Sequence, residues 1–152
     1  MDIRENFDNI KREISEACGK VDRSPEDIKV IAVTKYVTDA RVEQAIEVGV
    51  DAFAENRPQN YLERKQKYSD KEWHLIGSLQ TRKVRDVINH VDYFHALDRE
   101  SLAKEIEKRA EDKVNCFVQV NVSGEESKHG LTSHEIIKFI KGLEKYSKIN
   151  VI

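Results

Sequence analysis

The sequence predicts an α/β fold built on parallel strands. Three observations carry that prediction. Short β-branched or apolar runs alternate with stretches of helical spacing, the connections are short, and only two prolines and six glycines interrupt 152 residues. Strict strand–helix alternation implies right-handed crossovers and therefore parallel strands. Two architectures satisfy this, an open doubly wound sheet and a (β/α)8 barrel. A barrel takes eight strand–helix units over about 250 residues, and the sequence supplies about five units plus the start of a sixth strand.

The elements follow in order. Ile3, Phe7, Ile10, Ile14, Ala17 and Val21 recur at three and four residues, which predicts an opening amphipathic helix. Ser24-Pro25-Glu26 makes a turn. Val30 to Val33 predicts a first strand buried on both faces, extended through Thr34 to Lys35. Val42, Ala45 and Ile46 mark a helix that Gly49 ends. Asp51 to Glu55 reads as the second strand, with a polar helix through Tyr61 and Leu62 after it. Trp73 to Ile76 is the third strand, and Val84, Val87 and Ile88 lie on the next helix. Asp92 to Leu97 is the fourth, followed by a helix facing inward through Leu102, Ala103 and Ile106. Cys116 to Val122 is the fifth and longest. A loop from Ser123 to Gly130 then leads to a helix carrying Ile136, Ile137, Ile140 and Leu143, and Ile149 to Ile152 opens a sixth strand.

Composition narrows the function. Lys and Arg total 26 against 28 Asp and Glu, so the net charge is −2 and a dedicated nucleic-acid binder is disfavoured. No run approaches the roughly 18 apolar residues of a membrane span, and no secretory signal pattern opens the chain. Cys18 and Cys116 lie far apart and form no CxxC pair, so they read as reduced thiols of a cytoplasmic protein. The first strand–helix junction has neither GxGxxG nor GxxxxGK[ST], which weakens dinucleotide and nucleoside-triphosphate readings.

Lys35 is the residue with the most chemistry to offer. Period-two alternation puts Ile31, Val33 and Lys35 on one face. If that face is a barrel interior, Lys35 stands at the rim where barrel sites lie. Partial desolvation there favours the neutral, nucleophilic amine that Schiff-base chemistry requires. From position alone, a strand-end lysine with its stem packed and its head in water is the stronger reading.

Asn56 stands near a helix start, where capping is the simpler role and reaching a ring substituent at the barrel mouth the functional one. His74 reads as a hydrogen-bonded core histidine, and no histidine has metal-ligand spacing. Arg82, Lys83 and Arg85 read as a solvated face rather than an anion site. The polar stretch from Asn121 to Gly130 holds Lys128, a second amine, and Glu125 as its potential ion-pair partner. A mobile surface loop with solvated charges fits that stretch equally well.

Four segments occur in a recognisable order and spacing. They are Ala32-Val33-Thr34-Lys35, Phe53-Ala54-Glu55-Asn56-Arg57, Trp73-His74-Leu75-Ile76-Gly77-Ser78-Leu79-Gln80, and Val120-Asn121-Val122-Ser123-Gly124-Glu125-Glu126-Ser127-Lys128-His129-Gly130. Together they resemble the pyridoxal phosphate homeostasis proteins, single-domain relatives of the alanine racemase amino-terminal barrel.

The resemblance implies a (β/α)8 TIM barrel of the alanine racemase N-terminal type, with residues 1–152 forming the amino-terminal portion of one domain. It implies that pyridoxal 5′-phosphate (PLP) is held as a Schiff base on Lys35, with Asn56 lining the cofactor and Glu125 and Lys128 in the loop motif. The protein would then be a PLP carrier in intracellular homeostasis without established turnover, and PLP-dependent apoenzymes would be its recipients. Ala54 stands where the family usually has glycine, and Arg82 where it usually has asparagine. The family's later phosphate-holding segments are not in this sequence, so the chain reads as truncated at its carboxyl end. Open barrel edges would then allow self-association.

Two rivals accompany this reading. One is a PLP-dependent amino-acid racemase, which needs a second acid/base group that racemases take from an additional domain. The other is a PLP-free module that associates through its edges.

Overall fold

The computed structural model describes residues 2–152. The chain divides into two compact units, one ending at Phe53 and the other running from Ala54 to Ile152.

The first unit opens with α1 (Ile3–Gly19), whose start is fixed by the Asp2 carboxylate accepting from the Arg4 N–H at 3.0 Å. Of the predicted stripe Ile3, Phe7 and Ile14 are half-buried, whereas Ile10 and Ala17 are exposed; the residue this helix buries is Cys18. Val21 lies beyond the helix and is exposed, so the apolar stripe stops one turn earlier than its spacing predicts. A short 3-10 turn (Pro25–Asp27) follows, then β1 (Ala32–Val33). In α2 (Asp39–Glu47) the Thr38 hydroxyl accepts from the Arg41 N–H at 3.4 Å. Gly49 ends that helix as expected. Its φ of 104° is a left-handed conformation that glycine adopts without strain.

Two expectations for the first strand need correction. It is two residues long, and Lys35 lies in the turn after it rather than at its end. Nor is it buried on both faces, because Val33 is 49% exposed while Thr34, on the opposite side, is buried. The strand β2 (Ala52–Glu55), by contrast, is buried along its whole length.

In the second unit β3 (Glu72–Leu75), β4 (Tyr93–Leu97), β5 (Val114–Val118) and β6 (Ile149–Val151) pair in parallel and in chain order. Between them come α3 (Pro58–Lys67), α4 (Val84–Val87), α5 (Glu100–Arg109) and α6 (Ile136–Leu143). Leu102, Ala103 and Ile106 of α5 are fully buried, as their spacing predicts.

Two elements depart from expectation. The segment after β3 is broken into a 3-10 turn (Thr81–Lys83), α4 and a second 3-10 turn (Ile88–His90). The fifth strand starts at Val114 and ends at Val118, no longer than β4, because from Val120 the chain enters the loop.

Register sorts the side chains of this sheet into two faces. Leu75, Phe94, Cys116 and Val151 align across the strands and are apolar. His74, Tyr93, Asn115 and Asn150 align on the opposite face. Among the described residues no helix is long and apolar enough to cross a membrane.

Candidate functional site

In the first unit the candidate group is Lys35. The Val37 N–H donates to the Thr34 carbonyl at 3.2 Å and closes a turn over Lys35 and Tyr36. Tyr36 occupies the third position with φ of 68°, a left-handed conformation that ordinarily falls to glycine. Holding a tyrosine there costs of order 1–3 kcal/mol, a strain that functional turns often carry. The turn leaves Lys35 exposed, with its ammonium 5.9 Å from the Tyr36 ring centroid. No carboxylate pairs with it among the described residues. The amine is open to solvent and to a small carbonyl compound.

In the second unit Asn56 follows β2 directly and is half-buried. It does not cap the helix. Pro58 takes the first helical position, so Arg57 becomes the cap residue and makes no capping side-chain bond. The Asn56 amide is therefore left for another partner. Its backbone is held against the end of β3. The Ile76 N–H donates to the Glu55 carbonyl at 2.9 Å, and a Cβ at Gly77 would lie 2.0 Å from the Asn56 carbonyl oxygen.

Glu125 and Lys128 share one loop, linked through the Lys128 N–H donating to the Glu125 carbonyl at 3.0 Å. Their side chains are exposed and make no ion pair with each other, so the pairing expected from sequence is absent among the described residues. The loop is organised by Asn121. Its side-chain Oδ1 accepts from the Ser123 hydroxyl at 3.2 Å and the Gly124 N–H at 3.1 Å, while its side-chain Nδ2 donates to the Glu125 carbonyl at 2.8 Å. An asparagine heading a Ser-Gly turn is a readable signal for this role.

Sequence reasoning also missed a polar cluster on the sheet. His74 is buried and hydrogen-bonded, as expected of a core histidine, but its partners were not foreseen. Its Nε2 lies 2.7 Å from Glu72 Oε1 and its Nδ1 lies 2.7 Å from His95 Nε2. It stacks on Tyr93 at 4.5 Å with the ring planes 7° apart. Burial, and secondarily the neighbouring His74, push the His95 imidazole down to about 4. Burial alone pushes the Cys116 thiol up to about 12, so that thiol is inert at neutral pH.

The comparisons with known proteins place these features in context. The model of the family described as "Alanine racemase, N-terminal domain" matches residues 3–152. A pyridoxal phosphate homeostasis protein of Haemophilus influenzae is 34% identical over 151 residues, covering 95% of this chain and 64% of that protein. One from Escherichia coli K12 is 34% identical over 143 residues, covering 89% of this chain and 61% of its own length. The chain thus spans less than two thirds of these relatives.

Among solved structures, an unknown protein from Bifidobacterium adolescentis superposes with a TM-score of 0.88 at 26% identity, over 99% of this chain and 67% of that one. PipY of Synechococcus elongatus, solved with PLP bound, gives a TM-score of 0.73 at 24% identity over 91% of this chain and 70% of that chain.

Proposed function

Because the chain belongs to the alanine racemase N-terminal domain family, whose fold it shares, we propose that it binds PLP and serves intracellular PLP homeostasis, holding the cofactor as a Schiff base on Lys35. The single observation that carries this reading is the exposed, unpaired Lys35 amine on a strained turn directly after β1. The names of the 34%-identical relatives support the same cofactor.

The residues present fit it. PLP supplies an aldehyde that a lysine amine takes up reversibly, with loss of water. Lys35 can offer that amine because its side chain is exposed and pairs with no carboxylate among the described residues. The Tyr36 conformation fixes where the amine emerges. Asn56 contributes an amide that no helix cap consumes, suited to a hydroxyl or ring substituent. Glu125 and Lys128 lie exposed on the loop after β5, where a second amine is available for transfer.

The same proposal takes residues 1–152 as the amino-terminal portion of one PLP-binding barrel domain and the cytoplasm as its location. It takes PLP-dependent apoenzymes as recipients and unpaired strand edges as the route to self-association. Mixing the protein with PLP should produce a visible absorbance band, and borohydride should fix the label on a Lys35 peptide found by mass spectrometry. A Lys35→Ala protein giving the same band and the same labelled peptide profile overturns the assignment.

A further inference from the structure

At three places a lysine ammonium lies over the ring of the tyrosine that follows it. The distances to the ring centroid are 5.9 Å for Lys35 and Tyr36, 5.5 Å for Lys67 and Tyr68, and 5.1 Å for Lys145 and Tyr146. Two of these rings are otherwise engaged. Tyr68 is half-buried and stacks on Trp73, with centroids 6.4 Å apart and planes at 25°. The Tyr146 hydroxyl donates to Glu100, the same carboxylate that Lys145 holds at 2.7 Å. Tyr36 has neither kind of partner. Among the described residues its hydroxyl makes no hydrogen bond and its ring stacks on no other ring, and the residue is 85% exposed.

Tyr36 nevertheless occupies a costly backbone position. Among the described residues only two that are not glycine have a positive φ, Asp22 at 55° and Tyr36 at 68°. Aspartate is enriched in that region, whereas tyrosine gains nothing from it. Glycine would close the same turn, with the Val37 N–H on the Thr34 carbonyl, free of strain. A large ring that is strained, solvated and unused by the core calls for a role of the ring itself.

The chemistry of its neighbour supplies that role. When the Lys35 ammonium condenses with an aldehyde, a bond forms from Nζ to the carbonyl carbon. The carbonyl oxygen leaves as water with two of the three ammonium protons, and a protonated imine remains. Nζ is cationic before and after, so the attraction of the Tyr36 ring for the charge does not distinguish the two states. What changes is the group attached to Nζ. Aromatic pairs attract at centroid separations of about 4.5–7 Å, and Nζ itself stands 5.9 Å from the Tyr36 centroid. A planar aromatic group joined to Nζ is therefore within stacking reach, and an alkyl group gains no such contact.

We infer that Tyr36 is a specificity-determining residue for Lys35: its ring makes this amine favour aldehydes carried on a planar aromatic ring over aliphatic ones. This role rests on the proposed function in one respect, the choice of Lys35 as the reacting amine.

Competitive reductive labelling tests it with no cofactor present. The protein is mixed with equal concentrations of benzaldehyde and propanal. Cyanoborohydride delivers hydride to each imine to give a secondary amine, and peptide mass spectrometry reads the benzyl-to-propyl ratio at each lysine. Lys20 and Lys113, exposed and without a ring contact among the described residues, set the intrinsic ratio. At Lys35 the ratio should be about two- to fivefold higher, the effect of one exposed aromatic contact. Tyr36→Phe should keep the excess. Tyr36→Gly suits the left-handed backbone and so folds, and it should return Lys35 to the reference ratio. If Tyr36 served the turn alone, the glycine variant would leave the ratio where it was. No excess in the unsubstituted chain, or an excess that survives Tyr36→Gly, overturns the role. The two failures are distinguishable. A PLP band that persists in Lys35→Ala sinks the cofactor reading without moving this ratio, and a missing excess sinks the Tyr36 role without moving the band.

Discussion

Alanine at Gly77 isolates one contact and should be expensive. The new Cβ would lie 2.0 Å from the Asn56 carbonyl oxygen, 2.9 Å from its carbonyl carbon and 3.0 Å from its Cα. All three are backbone atoms, so no side chain can swing aside. Ordinary contact needs roughly 3.5 Å, which forces the ends of β2 and β3 about 1.5 Å apart. The adjacent bond from the Ile76 N–H to the Glu55 carbonyl, 2.9 Å long, cannot survive that separation. Overpacking of this kind costs about 1–3 kcal/mol, and a lost backbone hydrogen bond adds about 1 kcal/mol. The expected destabilisation is about 2–4 kcal/mol.

Gly77 is not among the glycines with positive φ, so backbone conformation does not contribute to the penalty. Urea denaturation followed by fluorescence measures it directly. The single tryptophan, Trp73, is fully buried in β3, within the same unit as both Gly77 and Asn56. At 3 kcal/mol the thermal midpoint should fall by about 6–12 °C for a chain of this size. A change below about 0.5 kcal/mol, the range of neutral surface substitutions, would show that the two strand ends do not meet as described.

Three further outcomes follow from the same structure. Gly142 in α6 has nothing within 4 Å of a built Cβ, so Gly142→Ala should stabilise by about 0.5–1 kcal/mol through helix propensity; a loss of stability in urea would refute this. The buried Tyr61 hydroxyl accepts from the Asp92 N–H at 3.1 Å and lies 3.0 Å from the His90 carbonyl and 3.1 Å from that of Trp73, so Tyr61→Phe should cost about 1–3 kcal/mol by the same denaturation assay. Its one proton serves only one of the two carbonyls at a time. His95, lowered to about 4 from an ordinary 6.5, is neutral in the folded chain where the unfolded chain would protonate. Its contribution is whole above pH 6.5 and is lost as pH falls toward 4, with a slope below the one-proton limit of about 1.4 kcal/mol per pH unit because the ring is partly exposed. His95→Asn should flatten that part of the stability profile, and an unchanged slope would refute the assignment.

Much of the architecture was legible because it rests on local signals. Gly49 marked the end of α2 through a conformation that glycine favours, and Leu102, Ala103 and Ile106 marked the buried face of α5 by spacing alone. The Ile149 to Ile152 run pairs with β5 as a sixth strand. What failed depended on geometry that the residue types do not announce. Tyr36 gives no sign that it will turn left-handed, yet that turn takes Lys35 out of the strand. The misplaced cap at Asn56 was avoidable, since Pro58 signals the first helical position and moves the cap to Arg57. The Glu72–His74–His95 chain could not be read, because it requires the register of two strands far apart in sequence.

That chain explains why one face of the second unit's sheet is polar at all. A parallel sheet covered by helices on both sides reads as apolar on both, and the face bearing Leu75, Phe94 and Cys116 obeys. The other face bears His74, Tyr93, Asn115 and Asn150 in one aligned row, which would be costly if each needed its own cover. Instead the polar groups satisfy one another along the sheet. His74 bonds to Glu72 and His95, the Asn150 side-chain amide donates to the Asn115 side-chain Oδ1 at 2.8 Å, and Phe117 packs on the His95 ring at 4.5 Å. Lateral pairing of this kind needs no helix above it and no solvent between strands. The Coulombic effect of His74 on His95 requires charge on the His74 ring, and in that state both of its nitrogens donate, Nε2 to Glu72 and Nδ1 to His95.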